Sequence, residues 1–324
     1  MAKELVAYSQ KELTRIGLDS LPSAIQSSGD SGIRRFLEFF TVTIRNKNTR
    51  LAYAQAIKQF FDWCEARGVT KLERIQPVVI AAYIEQHGGS PPTVKQHLAA
   101  IRMLFDWLVT GQIVANNPAT SVRGPKHVVK RGKTPVLTAD EARTLLDSID
   151  TSSVIGLRDR ALIGVMVYSF ARVSAATSMK VEDFYAEGKR WWLRLHEKGR
   201  KRHEVPAHHN ADEYLDAYLK AAQIADDKKS PLFRTIDRSG RITERRISRN
   251  DALRMVKRRA AAAGLSAKTS CHSFRATGIT AYLENGGTIE NAQAIAAHES
   301  PRTTKLYDRT SDEITLDEIE RIAI

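Results

Sequence analysis

The residues that could do chemistry come in a fixed order that ends at Tyr307. The run His298-Glu-Ser-Pro-Arg-Thr-Thr-Lys-Leu-Tyr307 sets an imidazole and a phenol nine residues apart. Ser300 is a suitable helix N-cap and Pro301 a suitable first helical residue. Tyr307 is therefore expected about two turns into a helix. Upstream, His272-Ser-Phe-Arg275 places an imidazole and a guanidinium at i, i+3, on one face if that segment is helical. Arg172 stands earlier still, and Lys198 lies between them in Glu-Lys-Gly-Arg-Lys. A phenol with a pKa near 10 attacks only with a base beside it or a strongly polarised target. Two guanidinium forks, which keep their charge at any working pH, could polarise a phosphodiester. Each residue alone has a plain structural reading, as core tyrosine, satisfied histidine or surface arginine. The ordered set of six points to phosphoryl transfer without a metal.

The elements around these residues must hold them in place. Thr138-Ala-Asp-Glu141 reads as a capping box that opens a second domain, ahead of Ala142, Leu145 and Leu146. A helix follows over 157–170. Residues 191–196 and 202–205 read as strands of a hairpin or small sheet, with Lys198-Gly199 near the turn. Helices are then expected over 211–223, 248–263 (ending at Gly264), 273–284, 289–297 and 301–308. A tail helix over about 312–324 carries Leu316, Ile319 and Ile322 on one stripe, too short to stand alone. It must dock on its own domain or on a neighbouring protomer.

The first half reads differently. Residues 1–30 are polar and are expected as a flexible arm with one short helix. The segment 31–121 is helical throughout. One helix starts at Asn48-Thr49, carries Tyr53, Ile57, Phe60 and Cys64 on a stripe and stops near Gly68. Another starts at Ser90-Pro91-Pro92 and carries Val94, Leu98, Ile101, Phe105 and Leu108. These stripes make the core of a helical bundle. Arg50, Lys58, Lys95 and Arg102 lie on the opposite faces, as solvated charges or as DNA contacts. Residues 122–135 hold Arg123, Lys126, Lys130, Arg131 and Lys133 with no acid, and are punctuated by Gly124-Pro125 and Pro135. That stretch is a basic linker to a domain over 136–324.

The chain has 324 residues, enough for two domains with a core each. Fifty basic against 37 acidic residues leave a net charge of +13, which suits a polyanionic partner. The two cysteines, Cys64 and Cys271, cannot build a disulfide framework and fit a reducing compartment. Cys271 beside His272 reads as packing rather than as a thiol nucleophile. Too few Cys and His stand at ligand spacing for zinc, and no cofactor is expected. No apolar run reaches membrane-spanning length and the start lacks a signal-peptide pattern, so a cytoplasmic protein with no membrane partner is expected.

The ordered blocks resemble the tyrosine recombinase (phage-integrase-type) family, which includes the Xer recombinases and Cre. The matching blocks are Tyr-Ser-Phe-Ala-Arg172-Val-Ser, Glu-Lys198-Gly-Arg-Lys-Arg-His-Glu-Val-Pro, Cys-His272-Ser-Phe-Arg275-Ala-Thr, and His298 to Tyr307. The resemblance covers residues 30–310. It implies a mainly α fold with a small β-sheet: an N-terminal SAM-like helical bundle that binds core DNA sites, and a C-terminal α+β catalytic domain. It implies that Tyr307 attacks phosphorus to form a 3′-phosphotyrosine, that Arg172 and Arg275 bind the phosphate, and that Lys198 protonates the leaving 5′ oxygen. Lys201 and, less well, Arg200 compete for that last role; both are also candidates for DNA contact. His272 would act as acid/base and His298 would bind the phosphate. The implied partner is double-stranded DNA with inverted-repeat sites, held by a tetramer linked through the tail, with the basic linker as the strap of a clamp. The family carries Gly-Leu before the first arginine and an acidic residue three after it. Here those places hold Phe170-Ala171 and Ala175, so a carboxylate that would orient its neighbours is missing. A type IB topoisomerase-like strand transferase and a DNA-binding protein with impaired catalysis are the other readings.

Overall fold

The computed structural model describes residue 14 and residues 18–128, 132–197 and 202–308. The chain divides into two compact units between Val128 and Val129, inside the basic stretch.

The N-terminal unit is built of helices: α1 (Ser23–Gln26), α2 (Gly29–Glu38) running into a π-helical turn (Phe39–Thr43), α3 (Lys47–Glu65), α4 (Pro77–Gln86) and α5 (Pro91–Thr110). The cap of α3 is Asn46, whose side chain accepts from the Asn48 and Thr49 amides at 2.9 and 3.2 Å. The chain leaves this helix through Gly68 at φ +73°, a left-handed turn that favours glycine. The apolar stripes face inward as their spacing requires. Ile57, Phe60 and Cys64 of α3 are buried, and so are all five stripe residues of α5. Phe36, Phe39 and Phe40 complete the core with edge-to-face rings, Phe36 and Phe40 being 5.3 Å apart. The end of the expected arm is not loose. Leu18 is buried in this core, as are Ala24 and Ile25 of α1, the short helix expected in the arm.

The C-terminal unit opens at α6 (Ala139–Asp147) with the expected capping box. Thr138 accepts from the Glu141 amide at 3.1 Å, and Glu141 accepts from the Thr138 amide at 2.8 Å. Its central helix is α7 (Val154–Tyr168), packed against α9 (His209–Ala222) and α11 (Cys271–Glu284). Between α7 and α9 the chain forms α8 (Val173–Ser178) and an antiparallel sheet of β1 (Phe184–Glu187), β2 (Arg190–His196) and β3 (Arg202–Pro206), in that order. Leu193 is the partner of Phe184 on one side and Val205 on the other, which points these apolar residues into the core. A second hairpin, β4 (Arg234–Ile236) and β5 (Ile242–Arg246), precedes α10 (Arg249–Ala262). Neither β1 nor this hairpin was read from the sequence, since they are short and carry little alternation. Asp159, wholly buried on α7, accepts from Arg158 at 2.6 Å and from Arg259 of α10 at 2.9 Å, which ties the two helices together. The chain ends its described part with α12 (Ile289–Ile295) and α13 (Pro301–Lys305). Both helices stop earlier than expected.

Candidate active site

Arg172 is the N-cap of α8, at the end of a turn from α7. That turn passes through Phe170, whose φ of +54° lies in the left-handed region, sterically costly for a side chain. The Phe170 ring compensates by packing in an apolar cluster with Ala276, Ile279, Leu283, Ala296 and Tyr307. The Phe170 carbonyl accepts from Arg275 Nη1, and the Ala296 carbonyl accepts from Arg275 Nη2 at 2.6 Å. Arg275 is 1% exposed, on the inner face of α11, and its Nε–H meets no acceptor.

The other block enters through a second left-handed residue, Ala297 at φ +46°. His298 follows. Its amide donates to the Gln293 carbonyl at 3.1 Å, and its Nδ1 lies 2.9 Å from Thr304 Oγ1. The imidazole stacks on the Tyr307 ring, centroids 5.8 Å apart and planes 11° from parallel. Tyr307 lies just past α13 rather than two turns into it. Its amide donates to the Thr304 carbonyl at 2.9 Å, and its own carbonyl accepts from Thr280 Oγ1 of α11 at 2.8 Å. Ser300 occupies the N-cap position as expected, with Pro301 next, but its side chain makes no capping bond. The short α13 therefore delivers Tyr307 to α11, and Thr280 anchors it there.

The phenol ends 2.8 Å from His272 Nε2, the exposed first-turn imidazole of α11. With that nitrogen unprotonated, the phenol donates the hydrogen bond. The charges favour this state. Crowding around the ring, then Arg275 and Arg172, hold His272 below the ordinary imidazole range. Burial, followed by Arg275, Arg172 and His272, pushes His298 down to about 3. Burial and the neighbouring Arg172 bring Arg275 down to about 10, which still leaves it charged at neutral pH. The arrangement is a phenol with a neutral base at hydrogen-bond distance, beside two cations.

Five expected catalytic residues, Arg172, His272, Arg275, His298 and Tyr307, thus come together in one unit. Lys198, with Arg200 and Lys201, lies outside the described residues, as do Lys130, Arg131 and the tail over 312–324. The sequence reading missed Glu197, whose carboxylate accepts from Arg172 Nη1. It also missed Thr280, which carries no motif signal, and Thr304, which lies within the His298–Tyr307 run without having been given a role. Among the expected DNA contacts, Arg50 donates to the Ile44 carbonyl at 2.8 Å and Arg102 to the Ala119 carbonyl at 3.0 Å. Lys58 pairs with Asp62 at 2.9 Å. These three already serve the bundle. Lys95, Arg123, Lys126 and Lys133 are exposed. Among the described residues, no three His, Cys, Asp or Glu side chains gather as a metal nest, and no helix is long and apolar enough to cross a membrane.

This chain matches the phage integrase family over residues 135–313 and the phage integrase N-terminal SAM-like domain over residues 33–112. The chain belongs to the phage integrase family. It is an enzyme of the tyrosine recombinase type. Tyrosine recombinase XerD of Listeria monocytogenes serotype 4b (strain F2365) is 27% identical over 282 residues, 85% of this chain and 92% of that one. The fold is that of solved recombinases. The XerH site-specific recombinase bound to difH substrate, in a pre-cleavage complex, superposes with a TM-score of 0.65 at 20% identity. That match covers 98% of this chain and 88% of the other. A lambda integrase tetramer bound to a Holliday junction gives 0.64 at 20% identity, over 96% and 88% of the two chains. The expected fold class, a helical SAM-like domain followed by a mainly helical catalytic domain with small sheets, is the one observed.

Proposed function

We propose that this recombinase cuts and rejoins DNA strands at specific sites through a 3′-phosphotyrosine intermediate, with Tyr307 as nucleophile. The carrying observation is the 2.8 Å bond between the Tyr307 phenol and His272, beside the buried Arg275. The scissile phosphate binds where Arg172 and Arg275 offer N–H donors to its non-bridging oxygens. His272 takes the phenolic proton as Tyr307 Oη attacks phosphorus. The bond from phosphorus to the 5′ oxygen breaks, and that oxygen needs a proton, for which Lys198 is the donor that the resemblance implies. The phosphotyrosine bond keeps the energy of the broken bond, so the 5′ hydroxyl of another strand can reverse the step without ATP. His298 lies against the nucleophile's ring and stays neutral, suited to a hydrogen bond with the phosphate rather than to charge.

Exchange needs four such sites on two duplexes, so assembly as a tetramer on DNA goes with this reading. The tail over 312–324, with Leu316, Ile319 and Ile322 on one stripe, is our candidate for the contact between protomers. The exposed Lys95, Arg123, Lys126 and Lys133 are candidates for the phosphate backbone.

The test is trapping on a nicked suicide substrate. The unaltered protein forms a DNA adduct that survives denaturant, and Tyr307→Phe forms none while binding the duplex nearly as well. An adduct that persists in Tyr307→Phe would move the nucleophile elsewhere, with Tyr282 next to be tried. Trapping without exchange between two sites would favour the topoisomerase-like reading instead.

A further inference from the structure

Two guanidinium groups must wait side by side for one phosphate. In the free protein that arrangement is repulsive, and Arg172 weakens the hold of Arg275 on its proton. The pair therefore needs a counter-charge that is present before the DNA arrives. Ala175, three residues after Arg172, is wholly buried and offers only a methyl group. The carboxylate comes from elsewhere. Glu197, at the end of β2, accepts from Arg172 Nη1 and also offsets part of the repulsion felt by Arg275.

This carboxylate could act in two ways. It could plug the site, so that the phosphate has to displace it, or it could stand behind Arg172 and hold it. The exposures separate the two. The Arg172 side chain is 37% exposed and the Glu197 side chain 6%. Glu197 thus lies on the inner side of the guanidinium, and the outer side stays open to a phosphate coming from solvent. An arginine has five N–H donors, so one bound to Glu197 leaves others for the phosphate. A fixed guanidinium loses less freedom when it binds an oxyanion and needs no reorientation in the transition state.

We propose that Glu197 is a positioning residue for the reaction. It orients Arg172 and balances the charge of the arginine pair, from the strand that leads into Lys198 rather than from position 175. The inference rests on the recombinase reading above. It gives a role to Glu197, which opens the Lys198 block but is not among the six residues of the ordered set.

Single-turnover cleavage of a suicide substrate at saturating DNA tests it. Glu197→Gln, a neutral side chain of the same shape, is expected to cleave about 10- to 100-fold more slowly, the usual loss when a supporting group behind a reacting one is removed. Its affinity for uncleaved duplex should equal or exceed that of the unaltered protein, because a negative charge near the phosphate is gone. Glu197→Asp should recover part of the rate, and it carries the test if the Gln variant fails to fold. In an Arg172→Ala background, Glu197→Gln should slow cleavage no further, since its target is missing; a merely structural role would slow both backgrounds equally. Equal losses in the two backgrounds overturn the proposal. So does an unimpaired or faster Glu197→Gln enzyme, the faster one marking a plug. If the unaltered protein forms no covalent adduct, the recombination chemistry itself fails, and the role of Glu197 with it.

Discussion

Gly278 lies one turn beyond Arg275 on α11, on the face that meets α7. A Cβ built there would lie 2.1 Å from the Val167 carbonyl oxygen and 2.8 Å from the Phe170 ring, whereas ordinary contact starts at 3.4 Å. Gly278→Ala therefore forces α11 off α7 by more than an ångström, against a backbone atom that has no rotamer to move. Two opposed effects set the outcome. Alanine in a helix interior is favoured over glycine by about 1 kcal/mol. Overpacking a tight contact costs about 1–3 kcal/mol, and a backbone obstacle belongs at the top of that range. The expected net loss is about 2 kcal/mol, which lowers the melting temperature of a unit of this size by roughly 4–8 °C. The functional loss should be larger. Arg275 sits on the displaced helix and bonds the Phe170 carbonyl, so a shift of about 1 Å misplaces this proposed phosphate ligand and is expected to cost on the order of 100-fold in rate. Gly164→Ala is the control. Its added methyl meets the Tyr214 ring at 2.9 Å and Tyr168 at 3.8 Å, side chains rather than backbone, so that variant should lose less stability than Gly278→Ala. Calorimetry and single-turnover cleavage on both variants decide the matter. If Gly278→Ala melts and cleaves like the unaltered protein, the α7–α11 contact does not position Arg275.

Two more outcomes follow from the site. In the proposed mechanism Arg172 and Arg275 supply the charge for phosphoryl transfer, so cleavage should proceed at an unchanged rate in excess chelator; loss in chelator with recovery on adding magnesium would refute it. His298 titrates near 3 in the folded chain against 6.5 when free, so between these values only the unfolded chain takes up the proton. Its share of stability is complete above pH 6.5 and is lost as pH falls toward 3, with a slope of up to about 1.4 kcal/mol per pH unit. His298→Asn keeps a partner for Thr304 but does not titrate, so its denaturant midpoint should fall less steeply across that range; equal slopes would refute the assignment.

The helices were legible because their signals are local. The α6 capping box, the α5 stripe and the glycine after α10 are each set by a few neighbouring residues, and they appear within a few residues of where the spacing put them. The order of Arg172, His272, Arg275, His298 and Tyr307 was legible because the fold brings those blocks to one place. The partners of these side chains were not legible. Glu197 reaches Arg172, Thr280 holds the Tyr307 carbonyl, and Phe170 and Ala296 offer carbonyls to Arg275 across separations that no local pattern encodes. The short strands escaped for a different reason, since β5 keeps three of its five residues exposed and so has too little apolar alternation to show.

Phe170 shows where a visible departure acquires its meaning from the fold. The sequence resemblance puts glycine at this place, and the chain has phenylalanine. At φ +54° the backbone is in a region where glycine is free of strain and a side chain costs on the order of 1 kcal/mol. The larger residue is kept because its ring fills the cluster that also holds Tyr307, and burying a phenyl ring contributes about 1.5–3 kcal/mol, more than the strain. The same ring meets the open side of Gly278, so a glycine at 278 accommodates the phenylalanine at 170. The site has moved one glycine's function into packing between α7 and α11. The Phe170 carbonyl accepts from Arg275 two residues before Arg172, so this one turn ties both arginines to the α7–α11 contact.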